Sequence, residues 1–527
     1  MKSWLSDRLR GVKARAALSW LLLAAVARAE APPPPPAAER VVPESLVLPS
    51  TKAAEPAPEA DAIKVRIGGE YEARQSFLTD LPLAGGSLGQ TSRLFHFLRL
   101  RGLALWGAHV TLRAEIDAPR GMIYGSEPER ITGSGSDLER LQPLRLQPRA
   151  LLAALRADAG EITLGHGTTH LGLGLLDNDG DERRFFGTPD RVPTFERLSL
   201  RSGGPDAAVR VGVDGELLFD DGRLSLVEGD QLYRVGLFAH FSPTRAASIA
   251  LLTRYQALRP RGGRGGAELV DFDLSGSVRQ RLRGRSAELF CDYEGVYRVG
   301  SVSEPSAYAL GAEQKLAALG LGARAGVALE RHDERQRYAH FVVSLGWGMA
   351  TGDADPSDDE LHRFVMSPNH AVGSILFSEA LRFKTARAEA LLDAARGGGS
   401  ARIEALGTRG GVAGVSYLNP VVLVRPMADL RLTFGGVVAT ATTPVVDPAA
   451  LATRGVRRNF DGGTPRGRSL GSELDVGAEL AVALEPPMQA RFTVEGALAF
   501  PGSAFDDADG RGLGTQALTS VGLGLTF

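Results

Sequence analysis

From Ile63 to Phe527 the chain repeats one pattern, apolar and polar side chains alternating residue by residue. Ile63, Val65, Ile67, Tyr71 and Ala73 oppose Lys64, Arg66, Glu70, Glu72 and Arg74. Leu98, Leu100, Ala104 and Trp106 then oppose Arg99 and Arg101, and Val110, Leu112, Ala114 and Ile116 oppose Arg113, Glu115 and Asp117. The same alternation returns around Val270–Arg279, Leu474–Val482 and Arg491–Phe500. A period of two is the signature of a β-strand with one apolar and one polar face. Strands of soluble sheets are commonly five or six residues long, whereas many of these run to ten or more, the length a tilted strand needs to cross a bilayer. Lipid cannot satisfy an open sheet edge, so strands that span must close into a barrel whose charged face lines a wet lumen. The fold expected is therefore all-β, a closed antiparallel transmembrane barrel. At about 23 to 29 residues per strand with its share of loop, the segment gives roughly 16 to 20 strands. Eighteen is the expectation.

The ends support this reading. Lys2, Arg8, Arg10, Lys13 and Arg15 precede the apolar stretch Ala16–Val26 and the small-x-small site Ala27-Arg28-Ala29, so residues 1–29 read as a secretory signal peptide. Its removal takes six basic residues and one acidic one, moving the net charge from −2 to −7. Residues 30–61, with the run Pro32–Pro36, are too poor in apolar side chains to fold and read as a disordered periplasmic tail. At the other end Val521, Leu523, Leu525 and the final Phe527 alternate with small residues, the kind of strand on which outer-membrane barrels end.

Short connections near Gly107, Ala159-Gly160, Ser242-Pro243, Arg283-Gly284, Gly320 and Pro486-Pro487 are expected on the periplasmic side, with both termini. Long ones at Leu78–Ser92, Ala118–Pro148, Gly167–Pro193, Thr443–Leu470 and Gly502–Gly514 are expected outside. Counted this way, the long connection Gly352–Phe377 falls on the periplasmic side and breaks the rule.

Composition adds little beyond exclusions. Lys+Arg 60 against Asp+Glu 62 is too balanced for a nucleic-acid binder. Gly 64, about 12% of the chain against ~7% on average, suits turns and strands. The single cysteine, Cys291, can staple nothing and reads as a small lipid-facing hydrophobe. Tyr71, Trp106, Tyr293, Tyr297, Trp347 and Phe527 fit interfacial aromatic girdles.

The segment Gly346-Trp347-Gly348-Met349-Ala350-Thr351-Gly352-Asp353, continuing through Asp355, Asp358, Asp359, Phe364, Pro368, His370 and Gly373, resembles a Gly-Asp-rich stretch of the alginate-export porins and related deltaproteobacterial barrels. Ile162-Thr163-Leu164-Gly165-His166 is similar to a strand that those barrels often end in Leu-Gly-Arg, with His166 replacing the arginine. The resemblance implies an arginine-rich lumen that carries a polyanionic polysaccharide, and a long periplasmic connection folded into the pore. Gly352, Asp353, Asp355, Asp358, Asp359, Phe364 and His370 would then belong to that plug.

Alternation places Arg66, Arg74, Arg99, Arg101 and Arg113 on the inner face of the first three strands, and Asp271, Asp273, Glu288, Asp292 and Glu294 on the inner face near the middle of the chain. In an eighteen-strand barrel these groups lie roughly opposite, so a basic wall faces an acidic one. The alternative is that each wall neutralises itself through cross-strand pairs.

Candidate chemistry beyond this is sparse. Asp177, Asp179 and Asp181 have the oxygen spacing calcium prefers, without the Glu at position twelve that completes an EF-hand; hydrated acidic loops are the other reading. His166 and His170 are too far apart along a strand for a zinc pair. His96, His240 and His340 fall at inward positions, yet no spacing singles out a nucleophile, so no enzymatic activity and no cofactor are expected. The expectation is an outer-membrane channel of a Gram-negative bacterium for polar or anionic solutes, with polysaccharide export as a special case and outer-membrane lipid and the barrel-assembly machinery as partners. The alternative is a non-transport barrel, adhesive or scaffolding, closed by its own plug.

Overall fold

The computed structural model describes residues 63–527 apart from short stretches, of which 126–144, 181–191 (Phe186 excepted), 304–312 and 396–410 are the longest. The signal peptide and tail expected at 1–61 lie outside the described residues, as does Asp181. Eighteen strands close into one antiparallel barrel. The first six are β1 (Ile63–Leu78), β2 (Ser92–Trp106), β3 (Val110–Tyr124), β4 (Arg145–Ala157), β5 (Gly160–Gly167) and β6 (Thr194–Ser202). There follow β7 (Val209–Asp220), β8 (Gln231–Thr244), β9 (Ala247–Arg259), β10 (Gly266–Arg281), β11 (Ala287–Ser303) and β12 (Glu313–His332). The last six are β13 (Arg337–Ala350), β14 (Val415–Met427), β15 (Leu430–Ala441), β16 (Ser469–Ala483), β17 (Gln489–Pro501) and β18 (Gln516–Thr526). Among the described residues no helix is long and apolar enough to cross a membrane.

Each strand pairs with its sequence neighbours, and β18 closes on β1 from Glu70↔Thr526 to Leu78↔Leu518. Phe527 extends that ladder with reciprocal backbone bonds to Gly69 of 2.9 and 3.0 Å. Closure thus uses the second half of β1 and not the residues near Ile63. Alternation resolves as physics requires: Leu112, Leu151, Leu474 and Trp106 are 51–69% exposed on the outside, while Arg99, Asp117, Arg254, Asp271 and Glu473 are buried inside. So large an apolar belt on the outer surface fits lipid and not water.

All short turns gather at one rim and all long connections at the other. The turn at Gly107 is a tight one, where a φ of 57° favours glycine. Gly320, expected as a turn, instead lies midway along the 20-residue β12. Removing that false turn shifts the count by one strand, so the connection 351–414 belongs to the long-loop rim with the others. The expected breach of the loop rule does not exist. The segment does fold inward, but from the opposite rim to the one expected. It carries a π-helical turn (Leu376–Leu381) that runs into α1 (Arg382–Ala395). The connection 442–468 holds the short α2 (Pro448–Arg454), capped by Asp447, which accepts from the Ala449 N–H at 2.8 Å.

Candidate functional site: the plugged lumen

Two inward loops fill the lumen towards the long-loop rim. Leu173, Leu175 and Leu176 of the connection 168–193 pack with Phe364, Met366, Ile375, Leu376 and Phe377 of the connection 351–414 in one apolar core. The wall meets them with small residues. A Cβ on Gly320 would overlap the Phe364 ring, and one on Gly322 would lie 3.2–3.3 Å from Leu175 and Leu173. His370 bonds the Tyr417 hydroxyl at 2.6 Å and the Leu173 carbonyl at 3.3 Å, tying the two loops to β14.

Each loop is also held by a wall carboxylate. Glu473 of β16 accepts the consecutive N–H groups of Ser374, Ile375 and Leu376 at 2.5–2.7 Å. Glu294 of β11 accepts the Leu175 N–H with both oxygens at 3.1 and 3.2 Å. A carboxylate caught by several backbone donors is a charge-assisted anchor stronger than a neutral bond. Asp273, 0% exposed, has both carboxyl oxygens buried without a hydrogen-bond partner.

The remaining members of the expected plug serve the loop's own shape. Asp353 accepts from the N–H groups of Asp355 and His362, Asp358 accepts from Glu360, and the Asp359 carbonyl accepts the Lys315 N–H. Asp355 pairs with Arg457 at 2.5 Å. Gly352 lies against Gly414 and Thr443. His362 sends its two ring nitrogens to the Ala317 carbonyl and Glu360, at 3.1 Å each. The Ala317 carbonyl first, then Glu360, hold its pKa above the ordinary 6.5 against desolvation. Burial pushes the Asp353 carboxyl up.

The expected lumen residues face inward, and most of them are paired locally with a charge of opposite sign. On the basic side Arg74 pairs with Glu495 at 2.6 Å and Glu72 at 3.1 Å. Arg99 pairs with Asp117 at 2.7 Å, Arg101 with Glu70 at 2.9 Å and Arg113 with Glu115 at 2.9 Å. Arg66 lies exposed near the short-turn rim. On the other side Asp271 pairs with Arg298 at 2.6 Å and Arg254 at 3.2 Å. Asp292 pairs with Arg279 at 2.8 Å and Arg324 at 3.4 Å, and Glu288 with Arg281 at 3.7 Å. An uncompensated acidic wall opposite a basic one is not what forms.

Asp177 takes Arg254 and, at 3.2 Å, Arg234; Asp179 faces His170 at 3.4 Å. Among the described residues no group of three or more His, Cys, Asp or Glu is gathered as a metal site would be. His96 proves to be on the outer face, edge-on to Tyr71, because the alternation runs unbroken along β2 against β1 and sets it three positions from the inward Arg99, opposite the outer Ala73. His240 and His340 face inward as expected.

The pairs are unequal in exposure. Side chains of Arg101 and Arg113 are 44% and 46% exposed over Glu115 at 1%. Arg156 is 47% exposed against 29% for Glu161, and Arg281 40% against 9% for Glu288. Towards the short-turn rim the lumen therefore shows guanidinium to water over less exposed carboxylates.

Sequence reasoning missed Arg254, Arg298, Arg324 and Glu473, although all occupy inward positions of the same alternation. It also missed the inward loop 168–193, whose wall signals are Gly322 against Leu173 and Leu175, and Gly435 and Gly477 against Phe186.

Neither protein-family profiles nor curated proteins match this chain. Solved structures similar in outline include the outer membrane protein OprD from Pseudomonas aeruginosa, at 10% identity over 92% of this chain and 97% of that one, with a TM-score of 0.48. OpdK from the same organism, solved with vanillate, shows 11% identity over 88% and 98%, TM-score 0.48. OccK2 (OpdF) from that organism, solved in complex with glucuronate, shows 11% over 88% and 97%, TM-score 0.46.

Proposed function

We propose that the protein is an outer-membrane channel of a Gram-negative bacterium for small polar and anionic solutes, with the short-turn rim towards the periplasm. The observation that carries the reading is the exposure asymmetry of the lumen pairs, Arg101 and Arg113 standing in water above a buried Glu115. Each pair is neutral overall, yet a passing solute meets the guanidinium first, which favours anions at the wall. Purified protein in a planar bilayer under a salt gradient should give an anion-selective reversal potential. Cation selectivity would overturn the proposal.

The apolar core between the loops favours a second reading, a barrel closed by its own plug and serving a non-transport role. It predicts no conductance from the wild-type protein at any voltage. Polysaccharide export, the special case implied by the resemblance around Gly346–Asp353, needs both inward loops to leave the lumen. It fails if a polyanionic polysaccharide neither blocks nor crosses channels whose plug has been released.

A further inference from the structure

The two inward loops dock by the same device. Leu175 of the connection 168–193 gives its N–H to Glu294 of β11, and Ser374, Ile375 and Leu376 of the connection 351–414 give theirs to Glu473 of β16. In each loop a glycine in the left-handed region lets the backbone come this close: a Cβ on Gly172 would lie 2.7 Å from Glu294 Oε2, and one on Gly373 would lie 2.9 Å from Glu473 Oε1. Beside each anchor stands a second acid. Asp475 follows Glu473 by two residues on the same face of β16. Asp273 of β10 lies diagonal to Glu294, because the β10–β11 register sets Asp273 against Val296 and Ser275 against Glu294. All four residues are 2% exposed or less, and both carboxyl oxygens of Asp273 and of Asp475 are buried without a hydrogen-bond partner.

The surrounding charges are committed elsewhere. Facing Asp273 are Asp271 of its own strand, Asp177 of the loop and Arg254 of β9, and Arg254 is already shared between those two aspartates. Tyr417 of β14 faces Glu294. Glu495 of β17 faces Asp475, and Arg74 beside it is held by Glu495 and Glu72. The titratable rings of the loops are His170, facing Asp179, His370, on Tyr417 and the Leu173 carbonyl, and His362, on the Ala317 carbonyl and Glu360. Two neighbouring buried carboxyls with no cation between them cannot both stay ionised, whereas one proton removes a charge and supplies the missing donor. Glu294 and Glu473 accept N–H bonds and are the ionised members, so the proton belongs on the aspartates. We propose that Asp273 and Asp475 are proton-loaded latches, each docking its loop as the neutral acid that donates to the neighbouring glutamate and freeing the loop when the proton is lost as pH rises. A freed loop leaves both carboxyls in water, where aspartate ionises above about pH 4. Docking therefore takes up one proton per loop and weakens by about tenfold per pH unit at most.

The latches are read at the loop amides and do not depend on the channel reading. Hydrogen exchange of the full chain in detergent micelles, followed by mass spectrometry from pH 6 to 9 and corrected for intrinsic rate, should accelerate at least tenfold in peptides covering 171–177 and 373–378, while β9 stays flat. Asp273→Asn keeps a neutral donor at one latch and should flatten the rise in 171–177 but not in 373–378. Asp475→Asn should do the reverse. Asp273→Ser and Asp475→Ser, smaller hydroxyl donors, serve the same test where the amide does not fit. His170, His362 and His370 stay in place in every variant, so a rise carried by those rings survives all of them. Flat wild-type profiles, or a rise that the variants keep, would overturn the proposal. Protection at pH 6 that EDTA removes and calcium restores would overturn it too, by assigning the acid pairs to a metal ion.

Discussion

Gly320 shows how one residue misleads a sequence and then explains it. Inside a strand, glycine reads as a turn or a bulge, because it weakens the strand and leaves nothing to pack. Here it is an inward position of β12 whose missing side chain is the socket for Phe364, and Gly322 does the same for Leu173 and Leu175. Gly69 is a third case: a Cβ there would lie 2.7 Å from the Phe527 ring and 2.6 Å from the Arg99 carbonyl oxygen, so glycine lets the last residue lie over β1 at the seam. Filling the first socket tests this account. Gly320→Leu should expel Phe364 and cost about 1–3 kcal/mol of plug stability, the usual range for overpacking. Channel current should rise or become noisy, and adding Phe364→Ala should restore the compact behaviour in part, as a packing conflict requires. A Gly320→Leu protein with wild-type current and wild-type resistance to heat in detergent would mean that the ring does not hold the plug.

At the scale of elements, the eighteen strands and their facing were legible because a period of two, a buried charged face and a long tilted strand all demand the same residues. What was not legible was anything that depends on which loops enter the lumen. Three consecutive backbone N–H groups on Glu473 leave no mark in the sequence, since the donors are main chain. The parity of Glu473 shows only that it faces inward. The loop 351–414 therefore needs testing at its anchors. Glu473→Gln removes the charge from three charge-assisted bonds, each worth about 1.5–3 kcal/mol before relaxation. Protease cleavage near 374–388 should accelerate at least tenfold while the barrel itself stays intact, and equal cleavage rates would contradict the anchor. His362 gives the same loop a pH dependence. Both its nitrogens face acceptors, which suits the protonated ring, and its pKa is raised in the folded state by the Ala317 carbonyl and then Glu360. A raised pKa stabilises docking below about 6.5 and loses that contribution as pH climbs through the folded value. The side chain is 47% exposed, so the effect is local. Amide exchange of residues 358–364, corrected for intrinsic rate, should speed up between pH 6 and 8, and His362→Gln should flatten that rise.

For the whole molecule, the central question is how a lumen crowded with charge can be neutral pair by pair and still select. Burial supplies the answer, because a carboxylate beneath its arginine is screened by protein from a passing ion, whereas the half-exposed guanidinium is not. Expecting two opposed walls failed because inward arginines on neighbouring strands, Arg254, Arg298 and Arg324, were not set against Asp271 and Asp292. The two kinds of pair now predict different phenotypes. Replacing Arg101 and Arg113 by Ser removes two exposed cations and leaves Glu115 paired with Arg149 at 2.8 Å and near Arg99 at 3.5 Å, so the fold should hold. The reversal potential in a salt gradient should move towards cations by several millivolts or more, since such rings set the ion preference of a wide pore. Asp271→Asn acts on a group that is 0% exposed and held by Arg254 and Arg298. It should leave selectivity nearly unchanged and instead cost about 3–5 kcal/mol by stranding buried guanidinium charge. That loss would be read as a lower temperature for unfolding of the compact form in detergent gels. If Asp271→Asn shifts selectivity as strongly as the arginine pair does, then Asp271 is on the conduction path, and exposure does not decide which charges the solute meets.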